Sequence, residues 1–71
     1  MTVTLSGWNR GLLTISLIKL VREYSGQDLP TVKAAVEGLV DGKPFTIQFD
    51  NAGRAADFVA KAEHLGARIS N

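Results

Sequence analysis

The stretch "KPFTIQFDNAGRAADFVAKAEHLGARIS", residues 43–70, contains a strand, a helix and a second strand in succession. Its first part alternates polar residues with apolar ones, which is typical of a strand with one buried face: Phe45, Ile47 and Phe49. "DNAGRAADFVAKAEHLG" then predicts a helix that has Asp50 or Asn51 as its N-cap and ends at Gly66. "ARIS" predicts a short last strand with Ile69 facing inward. Because a single crossover helix joins strands that run parallel, these two strands are predicted to be parallel, with an antiparallel strand between them.

The N-terminal part of the chain supplies that central strand and two more helices. "TVTLS", residues 2–6, alternates Val3 and Leu5 with polar residues, and "GWNRG", residues 7–11, is typical of a loop. A helix is predicted from about Leu12 to Ser25, with Gly26 as a left-handed cap, and a second one in residues 28–42. The predicted fold is α+β, in the order β-α-α-β-α-β. Its three-stranded antiparallel sheet has the spatial order 2-1-3, with all three helices on one face.

Size, charge and composition restrict the function. The 71 residues make one domain, residues 1–71, with a single core and little room for a deep pocket. The net charge of +1 disfavours a nucleic-acid binder, and the absence of cysteine excludes disulfides and thiolate zinc sites. The sequence contains no signal-peptide pattern, apolar membrane span, phosphate-binding loop, nucleophile motif or metal-ligand spacing. We therefore expect a cytoplasmic protein that is not an enzyme, needs no cofactor or metal, and does not bind a membrane.

The first helix has more apolar residues than one buried face can use. On a helical wheel of about 100° per residue, one buried stripe is predicted to contain Leu13, Leu17, Leu20, Val21 and Tyr24. Ile15 and Ile18 lie off this stripe, beside Lys19 and Arg22. An apolar pair rimmed by cations suits a transient protein interface. Alternatively, the isoleucines are scattered surface residues or pack against a second neighbour, and the cations form an ordinary solvated face.

Two segments, "IKLVREYSGQDLPTVKAAVE" (residues 18–37) and "GRAADFVAKAEHLGARI" (residues 53–69), carry a resemblance to a known family. Together with the predicted order of elements, they resemble the C-terminal domain of the bacterial ribosomal stalk protein, large-subunit protein seven/twelve. The positions that match the family pattern are Ile18, Lys19, Val21, Arg22, Gly26, Leu29, Lys33, Val36, Glu37, Gly66 and Ala67. The resemblance implies a docking module that binds translational GTPases, such as elongation factors Tu and G, through the first helix and the start of the second. The partner-binding residues that it implies are Ile15, Ile18, Lys19, Arg22 and Lys33.

The sequence also departs from the family pattern. Thr14 and Pro30 stand where the family has lysines, and the loop after the first strand is longer than usual. The stalk protein's dimerising N-terminal domain and hinge have no counterpart in these 71 residues. We therefore expect a stand-alone relative of the family. The sequence leaves open whether its target is the same as the family's.

Two other functions compete with this interpretation. The Clp protease adaptor shares the predicted fold and binds peptides, but its asparagine-aspartate-aspartate run is represented here only by Asn9. A nucleic-acid-binding surface would use Trp8, Arg10, Lys19 and Arg22. Trp8 is more simply explained as a cover over the edge of the core. His64 lacks a partner residue for metal or base chemistry and is interpreted as an ordinary surface residue.

Overall fold

The computed structural model describes residues 1–70, which form three strands and three helices. Their order and bounds are β1 (Thr2–Trp8), α1 (Thr14–Ser25), α2 (Leu29–Val40), β2 (Phe45–Gln48), α3 (Ala52–His64) and β3 (Ala67–Ser70). The strands are arranged as β2-β1-β3, and β1 is antiparallel to both neighbours. The predicted α+β class, element order and 2-1-3 sheet are therefore confirmed.

The hydrophobic core lies between one face of the sheet and the helices. The strands contribute alternate residues to it, as the period of two requires: Val3, Leu5, Ile47 and Ala67. The helices contribute Leu17, Leu20, Val21, Val32, Val36, Leu39, Ala55, Phe58 and Ala62. The opposite face of the sheet is polar and largely exposed, with Thr2, Thr46, Gln48, Arg68 and Ser70. All three helices therefore cover the same face.

The first strand is longer than predicted, and the loop assigned to residues 7–11 is wrong at its start. β1 continues to Trp8 through a bulge, since Leu5 pairs with Ile69 and Gly7 pairs with Arg68. The extra residue changes the alternation, so that Trp8 lies opposite the buried Ala67 and on the helix side of the sheet. There its indole Nε1 donates a hydrogen bond of 3.1 Å to the carbonyl oxygen of Val40, at the end of α2. The indole thus covers the edge of the helix layer.

The start of α1 also differs from the prediction. The helix begins at Thr14, and Leu13 is an exposed N-cap residue outside the buried stripe. The backbone N–H of Leu13 donates to the carbonyl of Leu65 over 3.0 Å, and that of Asn9 donates to Gly66 over 2.7 Å. These bonds hold the segment before α1 against the end of α3, so the first two residues of the predicted helix, Leu12 and Leu13, belong to this connection instead.

The other helix ends follow local sequence signals. Gly26 ends α1 in the left-handed conformation, as predicted, with φ 71°. Asn51 is the N-cap of α3, because its side-chain oxygen accepts the N–H of Arg54 at 2.7 Å. Asp28 caps α2 in the same way by accepting the N–H of Thr31 at 3.2 Å. The cap side chains thus distinguish Asn51 from Asp50, which the sequence alone did not.

Candidate docking surface on the first helix

The outer face of α1 presents an apolar side chain and two cations to solvent. Ile15 is 70% exposed, and Lys19 and Arg22 are exposed on the same side of the helix. These residues are related by steps of three and four, which place side chains on one helical face. Ile18 lies at the border of this face and is half-buried against the core. Of the two isoleucines that lie off the buried stripe, Ile15 therefore faces water, and Ile18 does so only in part. We call Ile15, Ile18, Lys19 and Arg22 the helix-one surface.

Helix α2 packs against α1. Residues 26–28 connect α1 and α2, and the two helices pack against each other. At the other end of the pair, Thr14 shares a shallow groove with Glu37 and Val40. Lys33 is exposed in the second turn of α2. Lys33 therefore lies on a second helix, outside the helix-one surface as defined above.

The cations of this region are not neutralised within the described chain. In residues 1–70 the ion pair between side chains joins Lys61 to Asp57, and neither Lys19 nor Arg22 forms one. The pKa of Asp28 is lowered mainly by hydrogen bonds from Thr31, with a smaller contribution from the positive charge of Arg22. Arg22 therefore influences the N-cap of α2 from a distance and keeps its hydrogen-bond donors available for a partner.

A cluster of polar side chains joins α1 to α3 beside this surface. Nη2 of Arg54 donates to the carbonyl oxygens of Glu23 and Tyr24, at 3.2 and 3.4 Å. Its guanidinium carbon lies 4.7 Å from the centroid of the Tyr24 ring, within the range of a cation–π contact. Nζ of Lys61 donates to the hydroxyl of Tyr24 at 3.0 Å, and that hydroxyl donates to Asp57. This polar cluster satisfies carbonyls at the end of α1 and holds the helix against α3.

The polar cluster shifts the protonation of two of its members. Hydrogen bonds from Tyr24 and then from Lys61 lower the pKa of Asp57, because they stabilise the carboxylate. The same contacts, to Tyr24 first and Asp57 second, raise the pKa of Lys61. Sequence reasoning missed this cluster. The spacing of four between Asp57 and Lys61 is a local signal that could have revealed the ion pair. No local signal shows that Tyr24 from another helix completes the cluster.

An open groove of about 590 Å³ lies between α1 and α3, with Lys19 at its rim. Its apolar lining consists of Leu20, Ala60 and Leu65. Its polar and charged lining consists of Ser16, Lys19, Glu23, Lys61 and His64. We call this feature the α1–α3 groove. Lys19 therefore belongs both to the helix-one surface and to the rim of the groove.

Residues 1–70 contain neither a candidate metal centre nor a candidate membrane-spanning helix. No group of three or more histidine and acidic side chains in this range is arranged to hold a metal ion. None of the helices described for this range has the length and apolar character needed to cross a bilayer. The chain matches no known protein-family model, and no curated protein matches it significantly in sequence.

Proposed function

We propose that this chain is a non-catalytic docking module that binds a protein partner through the helix-one surface together with Lys33. The leading candidate for the partner is a translational GTPase, such as elongation factor Tu or G. The proposal combines two independent supports, the exposed composition of α1 and the resemblance to the ribosomal stalk C-terminal domain.

The observation that carries the docking role is the position of Ile15. It is the most exposed large hydrophobic side chain in residues 1–70, at 70%, and it lies on a regular helix turned away from the core. Covering the exposed part of this side chain would stabilise a complex by at most about 2 kcal/mol. Lys19 and Arg22 lie one and two turns further along the same face, without ion-pair partners in the described chain. An apolar centre with unpaired cations beside it favours a partner that presents an apolar contact and acidic residues.

The choice of a translational GTPase depends on the resemblance. The implied binding residues Ile15, Ile18, Lys19 and Arg22 lie on α1, and Lys33 lies near the start of α2. These are the two elements that the family uses for its GTPase partners. The lysines replaced by Thr14 and Pro30 remove charge from that region. We therefore expect weaker attraction to an acidic partner than the family pattern provides.

A residue-resolved titration tests the proposal. Isotope-labelled protein is titrated with elongation factor Tu or G while the backbone amide shifts of residues 1–70 are followed. We expect the largest shifts at Ile15, Ile18, Lys19 and Arg22, with a smaller effect at Lys33. An absence of shifts with both factors would remove translation from the proposal. Shifts confined to Trp8 and the following loop would instead show that another surface makes the contact.

A further inference from the structure

The α1–α3 groove combines an apolar floor with two lysines, a histidine and one carboxylate at its rim. Leu20, Ala60 and Leu65 provide the floor, and Lys19, Lys61 and His64 lie around it. Glu23 is the one carboxylate among the lining residues. A volume of about 590 Å³ in an open groove is enough for a side chain and its flanking backbone. The groove therefore suits an extended or helical peptide segment better than an enclosed small molecule.

The charges of the rim differ in how strongly they are balanced. Lys61 is engaged with Asp57 at 3.2 Å and with the hydroxyl of Tyr24 at 3.0 Å. Lys19 has no ion-pair partner in residues 1–70, although Glu23 is only four residues away. Lys19 is thus the unpaired cation of the groove. An occupant with carboxylates would find complementary charge at Lys19, whereas a basic occupant would meet repulsion.

From this charge complementarity we infer that the α1–α3 groove binds an acidic segment of the partner protein that inserts a bulky apolar side chain over Leu20 and Leu65. The inference rests on the proposed docking function and specifies the chemistry of the partner. Lys19 connects the groove with the helix-one surface, so one partner can contact both. The groove supplies selectivity for an apolar residue between carboxylates, and the helix-one surface supplies additional contact area.

The test uses three synthetic peptides and the full chain. The first peptide has a central leucine flanked by glutamates, the second has lysines in place of the glutamates, and the third has serine in place of the leucine. We expect saturable amide shifts at Leu20, Ala60, His64 and Leu65 with the first peptide and much smaller ones with the other two. Equal binding of the lysine peptide, or no binding of any peptide at millimolar concentration, would overturn the inference.

Two matched variants separate the groove from other surfaces. Ala60→Glu places a carboxylate at the groove, whereas Ala56→Glu makes the same change one turn earlier on α3, outside the groove lining. Both alanines are exposed, and the two variants have the same charge. We expect Ala60→Glu to raise the Kd of the glutamate peptide about three- to tenfold and Ala56→Glu to leave it unchanged. Equal effects of the two variants would show that the peptide responds to net charge and would overturn the inference.

Further outcomes distinguish this inference from the docking proposal. If elongation-factor binding depends on Ile15 and Arg22 but the peptide and Ala60→Glu have no effect, the groove assignment fails and the docking proposal stands. If the glutamate peptide binds the groove and neither elongation factor binds the chain, the identity of the partner fails and the groove assignment stands. Amide shifts that depend on the protein's own concentration in the absence of peptide, centred on the groove, would show a second copy as its occupant and overturn the inference.

Discussion

At the scale of single residues, Phe58 and Ile15 are large apolar side chains in opposite environments. Phe58 is fully buried, and its ring centroid lies 5.3 Å from that of Phe49 and 5.5 Å from that of Tyr24. Phe58→Ala is expected to lower the free energy of unfolding by about 3–5 kcal/mol, because it removes buried area and leaves a cavity. Ile15→Ala should change it by less than about 0.5 kcal/mol. Chemical denaturation measures both values, and comparable losses would place Ile15 in the core.

Gly66 is required by its conformation and by its close neighbour. Its φ is 106°, and a Cβ added there would lie 3.0 Å from the Cα of Leu12. Gly66→Ala is therefore expected to lower the free energy of unfolding by about 2 kcal/mol. The matched substitution Gly42→Ala also has a positive φ, 91°, but open space around the added Cβ. Thermal melting of the two variants separates the cost of the positive φ from the cost of the contact with Leu12. Equal losses of stability at both positions would show that the contact adds nothing.

At the scale of elements, the polar cluster between α1 and α3 makes stability depend on pH. The pKa of Asp57 is lowered from 3.8 in the folded state. The contribution of this carboxylate to the free energy of unfolding is therefore present above pH 3.8 and is lost as the pH falls through the pKa of the folded state. The contribution of Lys61 depends on pH in the opposite direction. Because its pKa is raised from 10.5 in the folded state, its contribution to the free energy of unfolding is complete below pH 10.5 and is lost as the pH rises through the pKa of the folded state. Stability from this cluster is thus available throughout the neutral range.

Asp57→Asn tests that linkage. At neutral pH the variant should be less stable than the natural chain. The difference should shrink as pH falls from 3.8 through the lowered pKa of the folded state, where the natural carboxylate becomes protonated. Glu63→Gln removes a carboxylate of the same helix that forms no ion pair among the described residues, and it serves as the control. Urea denaturation across the acid range measures the effect. A difference that stays constant with pH would mean that the charge of Asp57 does not contribute.

At the scale of the whole molecule, docking through the helix-one surface should be weak and sensitive to salt. The surface has few residues and lies below the area of a standard stable interface, and its charges interact through a field screened within about 10 Å at 0.1 M salt. Lys19→Glu/Arg22→Glu is expected to weaken binding to the elongation factor at least about tenfold at low salt. The loss should be smaller at moderate salt, because screening reduces attraction and repulsion alike.

A charge-matched pair on other elements provides the control for that measurement. Lys43→Glu/Arg68→Glu changes the net charge equally at exposed positions, one before β2 and one on the open face of the sheet. Isothermal titration should show near-natural affinity for this variant. If it weakens binding as much as the helix-one variant does, the partner responds to the overall charge of the chain and not to α1.

Local patterns in the sequence predicted the type and order of the six elements and the sheet order. Alternation with period two identifies strands such as residues 45–48, and the residues at Gly26 and Pro30 mark helix ends, because both depend on backbone preferences of adjacent residues. The single helix between the last two strands then allowed few topologies. The helical period likewise predicted that Ile15 lies opposite the buried face of α1.

Tertiary packing decided the exact bounds of β1 and α1, the burial of single residues and the contacts between side chains of different elements. Bulged pairing with β3 extended β1 to Trp8, and bonds to the end of α3 excluded Leu13 from α1. Packing against the core left Ile18 half-buried, and contact between α1 and α3 brought Tyr24 together with Asp57 and Lys61. These partners lie far apart in the chain. Burial and side-chain hydrogen bonding arise only when such segments meet in space, so no pattern of neighbouring residues contains them.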